Sequence, residues 1–194
     1  MENIIPRWEW RTFGTSFGES EDIIKANQAK VRESSEIYIL SAKSNDNTKV
    51  RDSLMDIKYL VQINEDKLEQ WTPLLKAGFP IKIDSLRQVI ASWKIEVPEG
   101  ELKEMPYDDF MGKLVTVHPD LRAVNVFKER HGYLINGCIV EIANLKFNGN
   151  PIRTIAVEHE DPQLVIATVQ LLKLDGFENI NYLRALKNSA GLTY

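Results

Sequence analysis

Seven short segments of this chain alternate charged or polar side chains with apolar ones at a period of two, and this pattern most limits what it can fold into. They are 7–13, 36–43, 48–52, 55–63, 122–133, 137–147 and 153–160. Side chains two residues apart share one face of a strand. In the first segment Arg7, Glu9 and Arg11 therefore oppose Trp8 and Trp10. The same parity pairs Lys49 with Arg51, Asp56 with Lys58, Lys128 with Arg130 and Glu158 with Glu160, the last pair lying opposite Ile155, Val157 and His159. Asn136-Gly137, between apolar-flanked strands 123–135 and 138–145, predicts a two-residue hairpin, and Asn148-Gly149-Asn150 predicts a second. The last three strands should form a meander. Helical periodicity appears in 20–32, 68–77, 85–93, 107–117, 162–172 and 181–187, several opened by Ser, Asp or Pro.

Two architectures satisfy strands of this kind. An open antiparallel sheet would put its charged face in water. A sheet closed on itself would put its apolar face outward under helices and its charged face inward around a tunnel. Cationic doublets on some strands, an acidic doublet on another, and helices numerous enough to cover an apolar exterior favour the second. The expected fold is thus α+β: an antiparallel closed or nearly closed β-barrel with helices packed around the outside, forming one domain over residues 1–194. The 43% apolar and 27% charged content fits one soluble core, and no repeat or linker interrupts it.

Lys+Arg 24 against Asp+Glu 28 gives a net charge of −4, which supplies no global basic field for nucleic acid. No apolar run approaches the roughly 20 residues of a membrane span, and Met1-Glu2-Asn3 lacks a signal peptide's basic and apolar regions. The single cysteine, Cys138, excludes an internal disulfide and a thiolate metal cluster and fits a reducing compartment. A cytoplasmic protein with no membrane and no nucleic-acid partner is expected, with a homodimer left open.

Basic and acidic residues enclosed together must neutralise one another or meet a ligand that brings both anionic groups and metal. A polyphosphate with a divalent cation does both. Arg and Lys grip phosphate oxygens, and carboxylates suit magnesium or manganese.

On these residues the chain resembles the CYTH-domain proteins of the triphosphate tunnel metalloenzyme group, which includes class IV adenylyl cyclases, thiamine triphosphatases and inorganic triphosphatases. That group opens on a Glu-x-Glu-x-Lys strand, resembled here by Arg7-Trp8-Glu9-Trp10-Arg11 with Arg7 replacing the first carboxylate. Lys49-Val50-Arg51, Asp56-Ile57-Lys58, Lys128-Glu129-Arg130, Val140-Glu141-Ile142 and Val157-Glu158-His159-Glu160 follow in the group's order. The resemblance spans most of the chain from Arg7 to Lys187. It implies a metal-dependent phosphohydrolase acting on inorganic triphosphate, polyphosphate or another organic triphosphate. Glu9, Glu158 and Glu160 would hold Mg2+ or Mn2+, and Arg11, Lys49, Arg51, Lys58, Lys128 and Arg130 would bind a small anionic phosphate substrate. Glu141 and Lys58 would be catalytic, Glu141 serving as a further ligand or as the base that orients water. A noncatalytic polyphosphate- or nucleotide-binding module, supported by Arg7, and a class IV-type adenylyl cyclase stand as alternatives.

The remaining reactive residues read as structural. His118 and His131 are too scattered for a zinc site, His159 falls opposite the glutamates, and Cys138 sits in an apolar run. Trp8, Trp10, Trp71 and Trp93 read as anchors for helices on the outside of the sheet rather than as a base-stacking platform. The mixed-charge helix expected at 20–32 could plug a tunnel mouth or cover the sheet.

Overall fold

In the computed structural model, which describes residues 5–194, eight strands close into a ring with every pair antiparallel. The opening tripeptide Met1-Glu2-Asn3 lies outside the described residues. In chain order the strands are β1 Trp8–Gly14, β2 Lys30–Ser41, β3 Asn47–Arg51, β4 Leu54–Ile63, β5 Glu69–Gly78, β6 Leu121–Ile135, β7 Cys138–Phe147 and β8 Asn150–His159. Around the ring they run β1-β5-β4-β3-β2-β6-β7-β8 and back to β1. The helices are α1 Glu19–Lys25, α2 Ile83–Trp93, α3 Tyr107–Asp109 with a π-helical continuation over Phe110–Val115, α4 Pro162–Leu171 and α5 Tyr182–Ser189. Among the described residues no helix is long and apolar enough to cross a membrane.

The turns chosen by the sequence explain the meander. Asn136 and Gly137 take φ of 51° and 80°, and Asn148 and Gly149 take 48° and 87°, the left-handed values whose twist matches paired strands. A Cβ on Gly137 would also sit 3.3 Å from Leu164 Cδ2. Gly137→Ala is therefore expected to cost about 1–2 kcal/mol, measurable by denaturant titration.

Two expected helices need correction. The segment 68–77 falls almost entirely in β5, Glu69–Gly78, because Pro73 lacks the N–H a helix interior needs and the chain instead pairs with β4 across a register shift at Ile57/Lys58. The helix expected over 20–32 stops at Lys25, since β2 starts at Lys30 and pairs with β6 from Lys30↔Gly132 to Ser41↔Leu121. Those long-range ladder bonds override a weak local preference.

The apolar exterior is covered by helices. Trp10, Val140, Ile142, Ile155 and Val157 pack under Val165 and Val169 of α4, whose Asp161 cap accepts the Gln163 N–H. Ile39, Val50, Met55 and Ile57 pack under Leu86, Val89 and Trp93 of α2 with Phe110 and Leu114. The third cluster lies inside the ring. Leu183 and Leu186 of α5 meet Tyr38, Leu40, Val124 and Leu145, side chains of the inward face. Helix α5 thus closes one end of the ring rather than covering its outside. Its start is fixed by Asn181, which accepts the Arg184 N–H, and by the Ile180 N–H donating to Arg11 O where β5 has left β1. Lys187 is buried within it and donates to Ser44 O at 2.9 Å and Asn45 Oδ1 at 2.6 Å.

Candidate functional site

Because the apolar faces turn outward, inward parity gathers the charges. A cavity of about 200 Å³ is lined by Glu9 and Arg11 from β1, Lys49 from β3, Lys58 from β4, Lys128 and Arg130 from β6, Glu141 from β7 and Glu158 from β8. Tyr182 and Leu183 of α5 form its floor, with Tyr38, Asn47, Trp71 and Asn181 on its walls. Ring order sets β4 across from β7 and β3 across from β8. Lys58 and Lys49 therefore face the strands carrying Glu141 and Glu158.

The acidic wall is organised by one guanidinium. Glu9 and Glu158 are direct cross-strand partners, an unfavourable like-charge pairing unless a cation joins them. Arg11 does so: its Nε lies 2.6 Å from Glu9 Oε1, its Nη1 3.5 Å from Glu141 Oε1 and its Nη2 3.9 Å from Glu158 Oε1. Burial works against the Arg11 charge, but the three carboxylates outweigh it and raise its pKa. One cation does not balance three anions. Burial and the Glu9 charge push the Glu158 carboxyl up to about 7.

The donor set is all carboxylate oxygen with excess negative charge, the chemistry a hard divalent cation takes, but among the described residues no three His, Cys, Asp or Glu side chains are grouped closely enough to hold a metal ion as they stand. The side chains currently fan around the guanidinium. The Glu141 and Glu158 contacts are the long ones, while Glu9 has the short bond.

The cationic wall is organised by a carboxylate. Glu36 of β2 has a side chain with 0% exposure and holds Lys128 Nζ at 2.9 Å, Arg51 Nη1 at 3.2 Å and Lys49 Nζ at 3.7 Å. Burial disfavours its charge, yet Lys128 and Lys49 win and hold the carboxyl at about 2. Burial pushes the Lys128 ammonium down to about 8 against the pull of Glu36. Lys128 Nζ also donates to Tyr38 Oη at 2.8 Å and lies 4.3 Å from the centre of the Tyr182 ring, which stacks on Tyr38. Arg130 donates to Ser34 Oγ at 3.3 Å, and its buried Nε has no protein partner.

Most of the residues expected from the sequence meet here, and two do not. Arg51 is drawn to Glu36 and lines a neighbouring recess with Lys49, Asp56 and Lys76. Glu160 lies past the end of β8, exposed and outside the cavity, because the strand stops at His159. The third carboxylate of the cavity is Glu141. Trp71 lines the cavity from β5 instead of anchoring an outer helix, and its Nε1 donates to Glu69 Oε2 at 3.0 Å. Sequence reasoning missed Glu36, Tyr38 and Tyr182. Extending the alternation of β2 back from Tyr38 to Glu36 and Ser34 would have found the first two; no local signal places Tyr182 inside a ring. His159 accepts the Asp161 N–H, His118 the Asp120 N–H, and Cys138 is buried beside Thr168, none of them in the cavity.

No family model and no curated protein matches the chain. Solved structures do. HpAC1 from Hippeastrum, an adenylyl cyclase candidate with a dominant triphosphatase activity, aligns over 97% of each chain at 12% identity and a TM-score of 0.54. The PH1012 protein of Pyrococcus horikoshii aligns over 92% of this chain and 98% of its own at 15% identity and a TM-score of 0.51. At such identities the likeness is one of fold: a CYTH-like ring of strands with helices around it.

Proposed function

We propose that the cavity binds a triphosphate and hydrolyses its terminal phosphoryl group with Mg2+ or Mn2+. The observation that carries this reading is the segregation of charge, with Lys49, Lys58, Lys128 and Arg130 on one side and Glu9, Glu141 and Glu158 on the other, in one small enclosure. Such an enclosure suits a ligand bringing many negative oxygens to one wall and a hard cation to the other. The triphosphatase activity ascribed to HpAC1, which shares the fold, points the same way.

In this reading Glu9 and Glu158 would hold the cation, which would supply charge withdrawal from the phosphoryl oxygens, and Glu141 is left for the attacking water. The chain's own groups do the rest. Lys49, Lys128 and Arg130 bind and orient the phosphates, and the Arg130 Nε gains the acceptor the protein does not give it. Lys58 meets charge building on the transferred oxygens. Glu141 orients a water and takes its proton as the new O–P bond forms and the bridging P–O bond breaks, releasing orthophosphate and diphosphate.

A second reading, a tunnel that binds a polyphosphate without turnover, is favoured by Arg11, whose guanidinium lies among the three carboxylates. Phosphate release from triphosphate, long-chain polyphosphate, thiamine triphosphate and ATP, each with magnesium, manganese or chelator, separates the two. Metal-dependent release from one of them supports the hydrolase; binding of triphosphate without release from any of them supports the binder.

The pH dependence follows from Lys128. Its ammonium is charged below about pH 8 and loses its proton as pH rises through that value, so triphosphate affinity should fall between pH 7 and 9. Lys128→Arg should make this loss smaller, because a guanidinium stays charged, and leave the part that comes from Glu158 gaining its negative charge around pH 7. Titration calorimetry on both proteins across that range checks the sign.

A further inference from the structure

At the open end of the cavity stands one cation, Arg32, that the triphosphate reading leaves unused. Arg32 on β2 and Arg130 on β6 are direct cross-strand partners, and parity places both on the inward face with Ser34, Glu36 and Lys128. Two like charges directly opposed on a sheet destabilise it unless an anion joins them. Among the described residues no carboxylate lies within ion-pair distance of either arginine. Glu36, the acidic residue on the same face of β2, is already engaged with Lys49, Arg51 and Lys128. Arg130 spends one bond on Ser34 and leaves its buried Nε unpartnered, while Arg32 is exposed.

Position decides what such a pair can do. Helix α5 closes the far end, where Tyr182 and Leu183 form the floor, so a ligand enters past the end of β2 that begins at Lys30. A cavity of about 200 Å³ is smaller than the roughly 300–1,000 Å³ of sites that enclose whole organic ligands. A ligand longer than what the cavity holds extends outward through this mouth, where Arg32 and Arg130 stand side by side on one wall.

We propose that Arg32, with Arg130, forms a further anion subsite at this mouth that takes the next phosphate of a linear chain, so that the protein prefers tetraphosphate and longer chains over triphosphate. The proposal rests on the triphosphate reading of the cavity and adds a residue that ranks substrates by length. Arg32 is the specificity determinant. Its planar fork suits a phosphate held at the rim, and Arg130 bridges this subsite to the Lys128 wall below it.

The test is titration calorimetry with inorganic triphosphate and inorganic tetraphosphate, in chelator and at constant salt, on the wild type, R32Q and R32K. The wild type should bind tetraphosphate about tenfold more tightly than triphosphate, the scale of one charge-assisted hydrogen-bonding group. R32Q should lose most of that preference while its triphosphate Kd stays within about twofold, and R32K should keep part of it. The melting temperature of unliganded R32Q should be unchanged or higher, since a repulsion is removed. Equal weakening of both anions in R32Q, or no change in either, would overturn the subsite and leave the cavity reading standing. Failure of the wild type to bind either anion would overturn both.

Discussion

Glu36→Gln is expected to lower the unfolding free energy by about 3–5 kcal/mol, the cost of removing one partner from a buried ionic cluster. The side chain is inaccessible to solvent and lies within 3.7 Å of Lys49, Arg51 and Lys128, so glutamine would leave three cations facing one another with no counter-charge. Denaturant unfolding of the two proteins at pH 7 measures the difference. A signature in pH accompanies it. The folded carboxyl is held at about 2, below its ordinary value of 4.5, so its stabilisation is complete above about pH 4.5 and is lost as pH falls towards 2. Wild-type stability should therefore fall across that window more steeply than that of the variant. A loss under 1 kcal/mol would mean that the cations are held apart by solvent rather than by Glu36.

Glu158→Gln is expected to reduce metal-dependent turnover of triphosphate by about 10²-fold or more, the scale of losing one preorganised group that acts on transition-state charge. The variant keeps the shape and removes one carboxylate from the wall shared with Glu9 and Glu141. Triphosphate affinity in chelator should stay level or tighten, because one negative charge facing the anion is gone. Turnover and affinity thus move in different directions, which a general loss of structure would not produce. Steady-state phosphate release paired with calorimetry reads both.

The fold was legible from the sequence wherever a face was dictated locally. Trp8 and Trp10 against Glu9 and Arg11, or Val140 and Ile142 against Glu141, give the parity of a strand, and the ring follows once every apolar face needs cover. The Asn-Gly turns set the register of three strands. Legibility ended where distant partners decided. Residues 68–77 carry a helical spacing of Leu68, Trp71, Leu74 and Leu75, but pairing with β4 won, and Pro73 was the local sign of it. Glu36 looked like a strand end because the polar residues before it show no amphipathic contrast, yet β2 continues back through it to Lys30. Glu160 had the right parity but stands beyond the last paired residue of its strand. Parity names a face; the length of the ladder decides whether a residue on that face reaches the cavity. The three carboxylates around Arg11 come from three strands, and their meeting depends on ring closure, which no single segment encodes.

The central claim is that the cavity is a built anion site for a triphosphate. Titration calorimetry of inorganic triphosphate into the protein in the presence of chelator, repeated at 50 and 200 mM salt and with Lys128→Met, tests it most directly. The account predicts one site per chain, affinity that falls as salt rises, and at least tenfold weaker binding in the variant. No saturable binding by the wild type, or binding that Lys128→Met leaves unchanged, would contradict it.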